Sequence, residues 1–210
     1  MNANDLTKQL TNTLKNDRRI PIYSHFKSWY SDCRLAIHEY VRWNYPTGDF
    51  YVRVNQLTAL LAITSPRVHV KRNVALALEV LSDIVNVSNF KYRSVDDVAK
   101  LYKIMPRTAE NLLHWGRTGE IRGPKVLAFY HNLSGNEEPV TIDVWVMRYF
   151  GFTQESPNVT QRKAITDAIT KASKQYKMTP AQLQAVVWAI AVTEANRTMT
   201  SFADFLRVED

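Results

Sequence analysis

Apolar residues recur at steps of three and four along almost the whole chain and nowhere alternate long enough to build a sheet. That period restricts the sequence to an all-α fold. Phe26, Trp29, Tyr30, Cys33, Ile37 and Tyr40 form one such stripe, on a helix predicted from His25 to Asn44. The breakers then set the punctuation. The segment from Tyr45 to Asp49 ends that helix, and Thr64, Ser65 and Pro66 end a second one running from Val54 to Ile63. A third begins near Arg67 and carries an apolar pattern from Val68 to Leu81. Ser94 caps a helix over Val95 to Tyr102, with Asp96 and Asp97 in its first turn. Further helices are predicted over residues 4–16, 108–115, 124–133, 159–177 and 180–196, with one more after Asp143 through Phe150. Three segments follow: N-terminal helices in 1–48, a central helical region in 49–152 and C-terminal helices in 153–210.

Composition narrows the chemistry. Hydrophobic residues make up 45% of the chain, enough for a real core, so wholesale disorder is excluded. Six glycines in 210 residues argue against Gly-rich nucleotide folds and all-β sandwiches. The single cysteine, Cys33, rules out an intrachain disulfide, an all-cysteine zinc site and a four-cysteine iron–sulfur cluster. It lies on an apolar stripe and reads as a structural thiol. The five histidines, His25, His38, His69, His114 and His131, include no pair at the i, i+4 spacing of a helical metal site. No metal and no cofactor is therefore expected. The apolar stretches at residues 57–63 and 185–192 fall short of the roughly 20 residues that span a bilayer, so no membrane partner is expected either. The polar start is no secretory leader, which places the expected protein inside the cell. A net charge of +7 favours an acidic partner, and a phosphate backbone fits it.

Three of the six glycines, Gly116, Gly119 and Gly123, fall close together before a helix that starts at Pro124, with Lys125 immediately behind. A helix, a tight glycine turn and a second helix aim backbone N–H groups outward, and such an end can hold a phosphate. A plain helix corner without ligand is the competing reading. Lys125 and Asp143 stand 18 residues apart. An amine and a carboxylate facing one cleft suit Schiff-base chemistry at a sugar C1′, the carboxylate steadying the developing positive charge. Taken singly, Asp143 is equally a helix cap and Lys125 a solvated surface charge.

The stretch from Ile121 to Leu133, followed by Val140 to Arg148, resembles the helix-hairpin-helix DNA glycosylase superfamily. In that superfamily a hairpin Gly-x-Lys is followed, after a helix and a short loop, by a hydrophobic residue and an aspartate. Lys125 stands where the bifunctional members such as endonuclease III keep their Schiff-base lysine, while the wording around Gly123 is closer to the oxoguanine glycosylases. Upstream, Gln56 to Arg67 is similar to the helix whose following loop enters the DNA stack. The resemblance spans about residues 50–152. It departs from the pattern at Ile121, where a first hairpin glycine is usual, and at Trp145, where histidine is common.

The resemblance implies two helical lobes flanking a cleft, with double-stranded DNA carrying a damaged or modified base as partner. Lys125 and Asp143 would be catalytic. Ser65 and Pro66 would plug the gap left by a flipped nucleotide, and Arg67, His69, Lys71, Arg72, Arg122 and Gly123 would contact the DNA. The basic cluster from Arg67 to Arg72 is otherwise a solvated helix end, and Trp115, Tyr130 and Trp188 read as core aromatics. The activity implied is a DNA glycosylase, extended to an AP lyase where Lys125 attacks. Two alternatives keep the fold: a base-hypermodification enzyme of the kind bacteriophages use, and a DNA-binding module without chemistry.

Overall fold

A computed structural model describes residues 3–86 and 90–206; residues 1, 2 and 207–210, at the ends of the first and last sequence segments, lie outside them. Among the described residues the regular structure is helical throughout. The helices are α1 (Ala3–Asn16), α2 (Arg19–Ile22), α3 (Trp29–Asn44), α4 (Phe50–Thr64), α5 (Val70–Asn86), α6 (Val95–Tyr102), α7 (Pro106–Thr118), α8 (Pro124–Leu133), α9 (Val144–Tyr149), α10 (Val159–Gln175) and α11 (Pro180–Glu194). Single 3-10 turns cover Ser24–Ser28, Phe90–Tyr92 and Phe202–Asp204.

Local chemistry explains where these helices start. Asp49 accepts the Val52 N–H at 3.1 Å, so α4 begins at Phe50 rather than at Val54. Ser94 caps α6 through the Asp97 N–H, as its sequence predicts. Asn158 with Gln161 and Thr179 with Gln182 form reciprocal capping boxes at the heads of α10 and α11. Helix α5 does not start near Arg67. That residue sits in a left-handed turn at φ 62°, which cannot continue a helix, and α5 opens only at Val70.

The described residues gather into two compact units, each built from two stretches of chain. The first unit runs through Asp32 and resumes from His131 to Met199. The second runs from Cys33 to Tyr130 and takes in the segment from Thr200 on. The boundaries fall within α3, within α8 and between Met199 and Thr200.

In the first unit Leu6, Leu10 and Leu14, one α1 face at steps of four, pack with Ala164, Ile165, Ala168, Ile169 and Ala172 of α10. The alanines let the two backbones approach. Helix α11 is apolar on every side and buried along most of its length, as such a helix must be. Its Leu183, Val186, Val187 and Ile190 join Val146 and Met147 of α9 in the same core. In the second unit α4 packs on α5 and α7, and α6 on α7. A continuous buried run from Leu57 to Thr64 makes α4 the middle of that unit. Buried Asn73 ties α5 to the end of α4 by donating to Leu61 O (3.2 Å) and Thr64 Oγ1 (2.6 Å).

A polar network locks the first unit's edge. Arg19 pairs with Asp17 at 2.6 Å and with Glu194, and lies 5.4 Å over the Tyr149 ring, while the Tyr149 hydroxyl donates to Asp17. Burial opposes ionisation of Asp17, but hydrogen bonds from Arg19 and Tyr149 outweigh it and hold its carboxyl below the usual range. Burial and the bond to Asp17 push the Tyr149 phenol upward. A depressed carboxylate contributes stability that is complete above its unfolded value and is lost as pH falls through its folded one. The stability gap between wild type and Asp17→Asn should therefore be full at neutral pH and close below pH 3.8. Urea melts across that range read this directly; a gap independent of pH would remove the ionised Asp17 from the network.

Candidate nucleic-acid interface and the Asp143 site

The connection between α7 and α8 lies in the second unit. Gly119 closes α7 at φ 75°, where its N–H donates to Trp115 O at 2.7 Å, a conformation that favours glycine. Thr118 Oγ1 accepts the Glu120 N–H at 3.1 Å and donates to His114 O at 2.9 Å, so the turn is held from within. Gly123, at φ 91°, brings no side-chain acceptor to the head of α8, and its carbonyl accepts the Leu127 N–H. Gly116 does not belong to the turn. It lies inside α7, and an added Cβ would come within 3.3 Å of the Phe90 ring, so this glycine makes room for packing.

The residues expected to meet DNA are placed unevenly. Arg122 and Gly123 are exposed in the turn, and Arg122 has no ion-pair partner among the described residues. Lys125 is half-buried at the second position of α8. Ser65 and Pro66 are half-buried after α4, and the Ser65 hydroxyl donates back to Ala62 O at 2.9 Å. Arg67, His69 and Lys71 are exposed. Arg72 is also exposed, yet its guanidinium donates to Tyr102 O at 2.8 Å and lies 4.0 Å from Glu79, so part of it serves the fold. All of these belong to the second unit, and Asp143 to the first.

Asp143 is the N-cap of α9. Its Oδ1 accepts the N–H groups of Trp145 and Val146, each at 3.0 Å. Its Oδ2 accepts the Trp188 indole N–H at 3.1 Å, from α11. Three N–H donors thus fix a half-buried carboxylate whose direction the core of α9 and α11 determines. Trp188 packs in turn on Trp29, with ring centroids 5.5 Å apart. Trp145 is covered by two guanidiniums, Arg148 at 4.6 Å and Arg197 at 5.1 Å from its centroid.

Sequence reasoning missed the part of Trp188, which stands 45 residues from Asp143 and carries no spacing signal. It also missed Arg197. In the second unit it missed a cavity of about 470 Å³ lined by Asn55, Gln56, Phe90, Lys91, Trp115 and Gly119 among others. Among the described residues no group of three or more His, Cys, Asp or Glu could hold a metal ion. No described helix is long and apolar enough to cross a membrane.

The profile of DUF7178, a family of unknown function, matches residues 22–196. The chain belongs to this family. The match includes the α7–α8 turn, Asp143, Trp145 and Trp188, while Arg197 follows its last position. No curated protein and no solved structure matches the chain.

The hydrogen bonds of Asp143 make a structural forecast. Asp143→Ala should cost about 1–2 kcal/mol through the lost cap. Asn caps as well as Asp, but in Asp143→Asn the amide N–H₂ meets the Trp188 N–H donor to donor. Trp188→Phe should relieve that clash, so Asp143→Asn should destabilise less in the Trp188→Phe background than alone. Chemical denaturation of the four proteins in this cycle measures the coupling, and additive effects would sever the two residues.

Proposed function

We propose that this chain acts on duplex DNA as an N-glycosylase, with Asp143 as the fixed charge that steadies the departing sugar. The observation that supports it is the setting of that carboxylate, half-buried at the head of α9 and aimed by three N–H donors. A charge fixed before the reaction needs no reorganisation when positive charge develops, and such preorganisation is commonly the largest contribution to catalysis. A base in the stack is out of reach, so the target nucleotide must first swing out of the duplex. The N-glycosidic bond then breaks, the base leaves with the bonding electrons, and C1′ becomes cationic beside the carboxylate. Water adds to C1′ and releases a proton, leaving an abasic site. The resemblance gives Lys125 the alternative attack on C1′, through an amine that forms a Schiff base and leads to strand cleavage. The exposed Arg122 and Gly123 of the α7–α8 turn, with Lys71 and His69, would contact phosphates.

A second reading is favoured by the same hydrogen bonds. They give Asp143 a full structural task as cap and indole acceptor, which is what a DNA-binding module without chemistry would need.

Duplexes carrying single damaged or modified bases, incubated with the protein and then treated with borohydride, separate the readings. Release of a free base supports the glycosylase, and a trapped adduct that Lys125→Gln abolishes extends it to a lyase. Asp143→Asn should eliminate turnover while DNA affinity persists. A base altered but retained indicates base modification, and binding with no change of the DNA indicates the module. With four to six phosphates contacted, log K should fall against log salt with a slope of roughly −4 to −5. A slope near zero removes DNA as the partner.

A further inference from the structure

Arg148 and Arg197 approach one indole, that of Trp145, from positions far apart in the chain but within the first unit. Both arginines are exposed, and Trp145 is half-buried. Each guanidinium lies so near the ring centroid that the two sit within ~10 Å of each other, about the reach of a charge at 0.1 M salt. Neither has a carboxylate partner among the described residues. Glu194, the acid nearest Arg197 in the chain, is taken by Arg19. The fold thus holds two like charges together without an ion pair to either, and the indole between them offers each a cation–π contact.

We infer that Arg148 and Arg197, held by Trp145, form a clamp for the phosphates of a nucleic-acid strand. A guanidinium laid over an aromatic ring through its face keeps its N–H rim outward, and that planar rim matches two phosphate oxygens at once. Because the ring restrains both side chains, less rotamer freedom is lost when the anion arrives. Two such rims on one support suit neighbouring phosphates of a strand better than a single free anion. Trp145 also donates its backbone N–H to Asp143, so the clamp is built on the first turn of α9, next to the proposed catalytic carboxylate. This inference rests on the proposal that DNA is the partner, and adds where the first unit holds it.

The test compares labelled duplex DNA binding by wild type, Arg148→Gln/Arg197→Gln and Lys171→Gln/Lys174→Gln across a salt series. The second double variant removes the same charge from exposed positions on α10 of the same unit. The arginine variant should lose roughly tenfold in affinity per arginine. Its salt slope should flatten by about 1.8, roughly 0.9 for each phosphate no longer neutralised. The lysine control should stay near wild type. Arg148→Lys/Arg197→Lys keeps the charge and loses the planar rim, so it should bind more weakly than wild type. Equal binding by the two glutamine variants, while wild type binds DNA with a steep slope, would overturn the clamp and leave the DNA proposal standing. Lysine replacements as tight as wild type would overturn it too. Displacement of DNA by poly-glutamate as readily as by unlabelled duplex would point to an acidic protein instead and overturn it. A wild type that binds no DNA at all removes the underlying proposal.

Discussion

The carboxamide of Asn132, fully buried at the end of α8, organises the chain that leads to Asp143. Its amide donates to Asn136 O at 3.0 Å and Pro139 O at 2.9 Å, and its oxygen accepts the Thr141 hydroxyl at 2.7 Å. A buried amide left unpaired costs several kcal/mol, roughly 2–7 by transfer measurements, so this connection has little freedom to rearrange. Glu137, within the same segment, accepts the Thr179 hydroxyl on its side chain and the Ala181 N–H on its carbonyl. The loop thereby meets the head of α11. Val140 and Ile142 then enter the core, and Asp143 follows them at the N-terminus of α9. The carboxylate and the indole it accepts from are thus positioned by one loop that engages both helices.

The helical character of the chain was legible because helices such as α1 and α5 bury a stripe with the right period, while α4 and α11 show as apolar runs too long for a strand. Ends were less so, and for local reasons. The apolar pattern of α4 points to Val54, but a single aspartate at 49 starts the helix earlier. The pattern of α5 points to Val68, but the left-handed Arg67 and the tether of Asn73 to Thr64 delay it. Which stretches of chain share a unit depends on pairings that carry no local signal. Arg19 and Glu194 form an ion pair across 175 positions, and periodicity says nothing about which distant helices share a core.

At the site the same division holds. Asp143 before a short apolar helix reads as a cap from its type and place, and it is one. Gly116 reads as part of a glycine turn because three glycines cluster, whereas its role is to admit the Phe90 ring. Arg72 reads as one of several equivalent cations, but a carbonyl thirty residues on, that of Tyr102, occupies it. Each of these depends on a tertiary neighbour that no local pattern encodes. The same is true of Trp145, whose place after Asp143 is visible in sequence while its two arginines are not.

The setting of Asp143 also bears on the kind of chemistry it can support. A carboxylate that carries protons between groups must turn and change partners, and must spend part of the cycle protonated. Here Oδ1 is committed to two backbone N–H groups and Oδ2 to an indole N–H, all of which favour the acceptor form. Protonating Oδ1 would set donor against the two backbone N–H groups and loosen the first turn of α9. The arrangement therefore suits a stationary negative charge better than a proton shuttle. A reaction served by such a charge is one in which positive charge accumulates and decays nearby, as at a sugar C1′ when its base departs. A step that requires Oδ1 to accept a proton would have to break the cap to do so, and would lose about 1 kcal/mol of helix stability in each turnover.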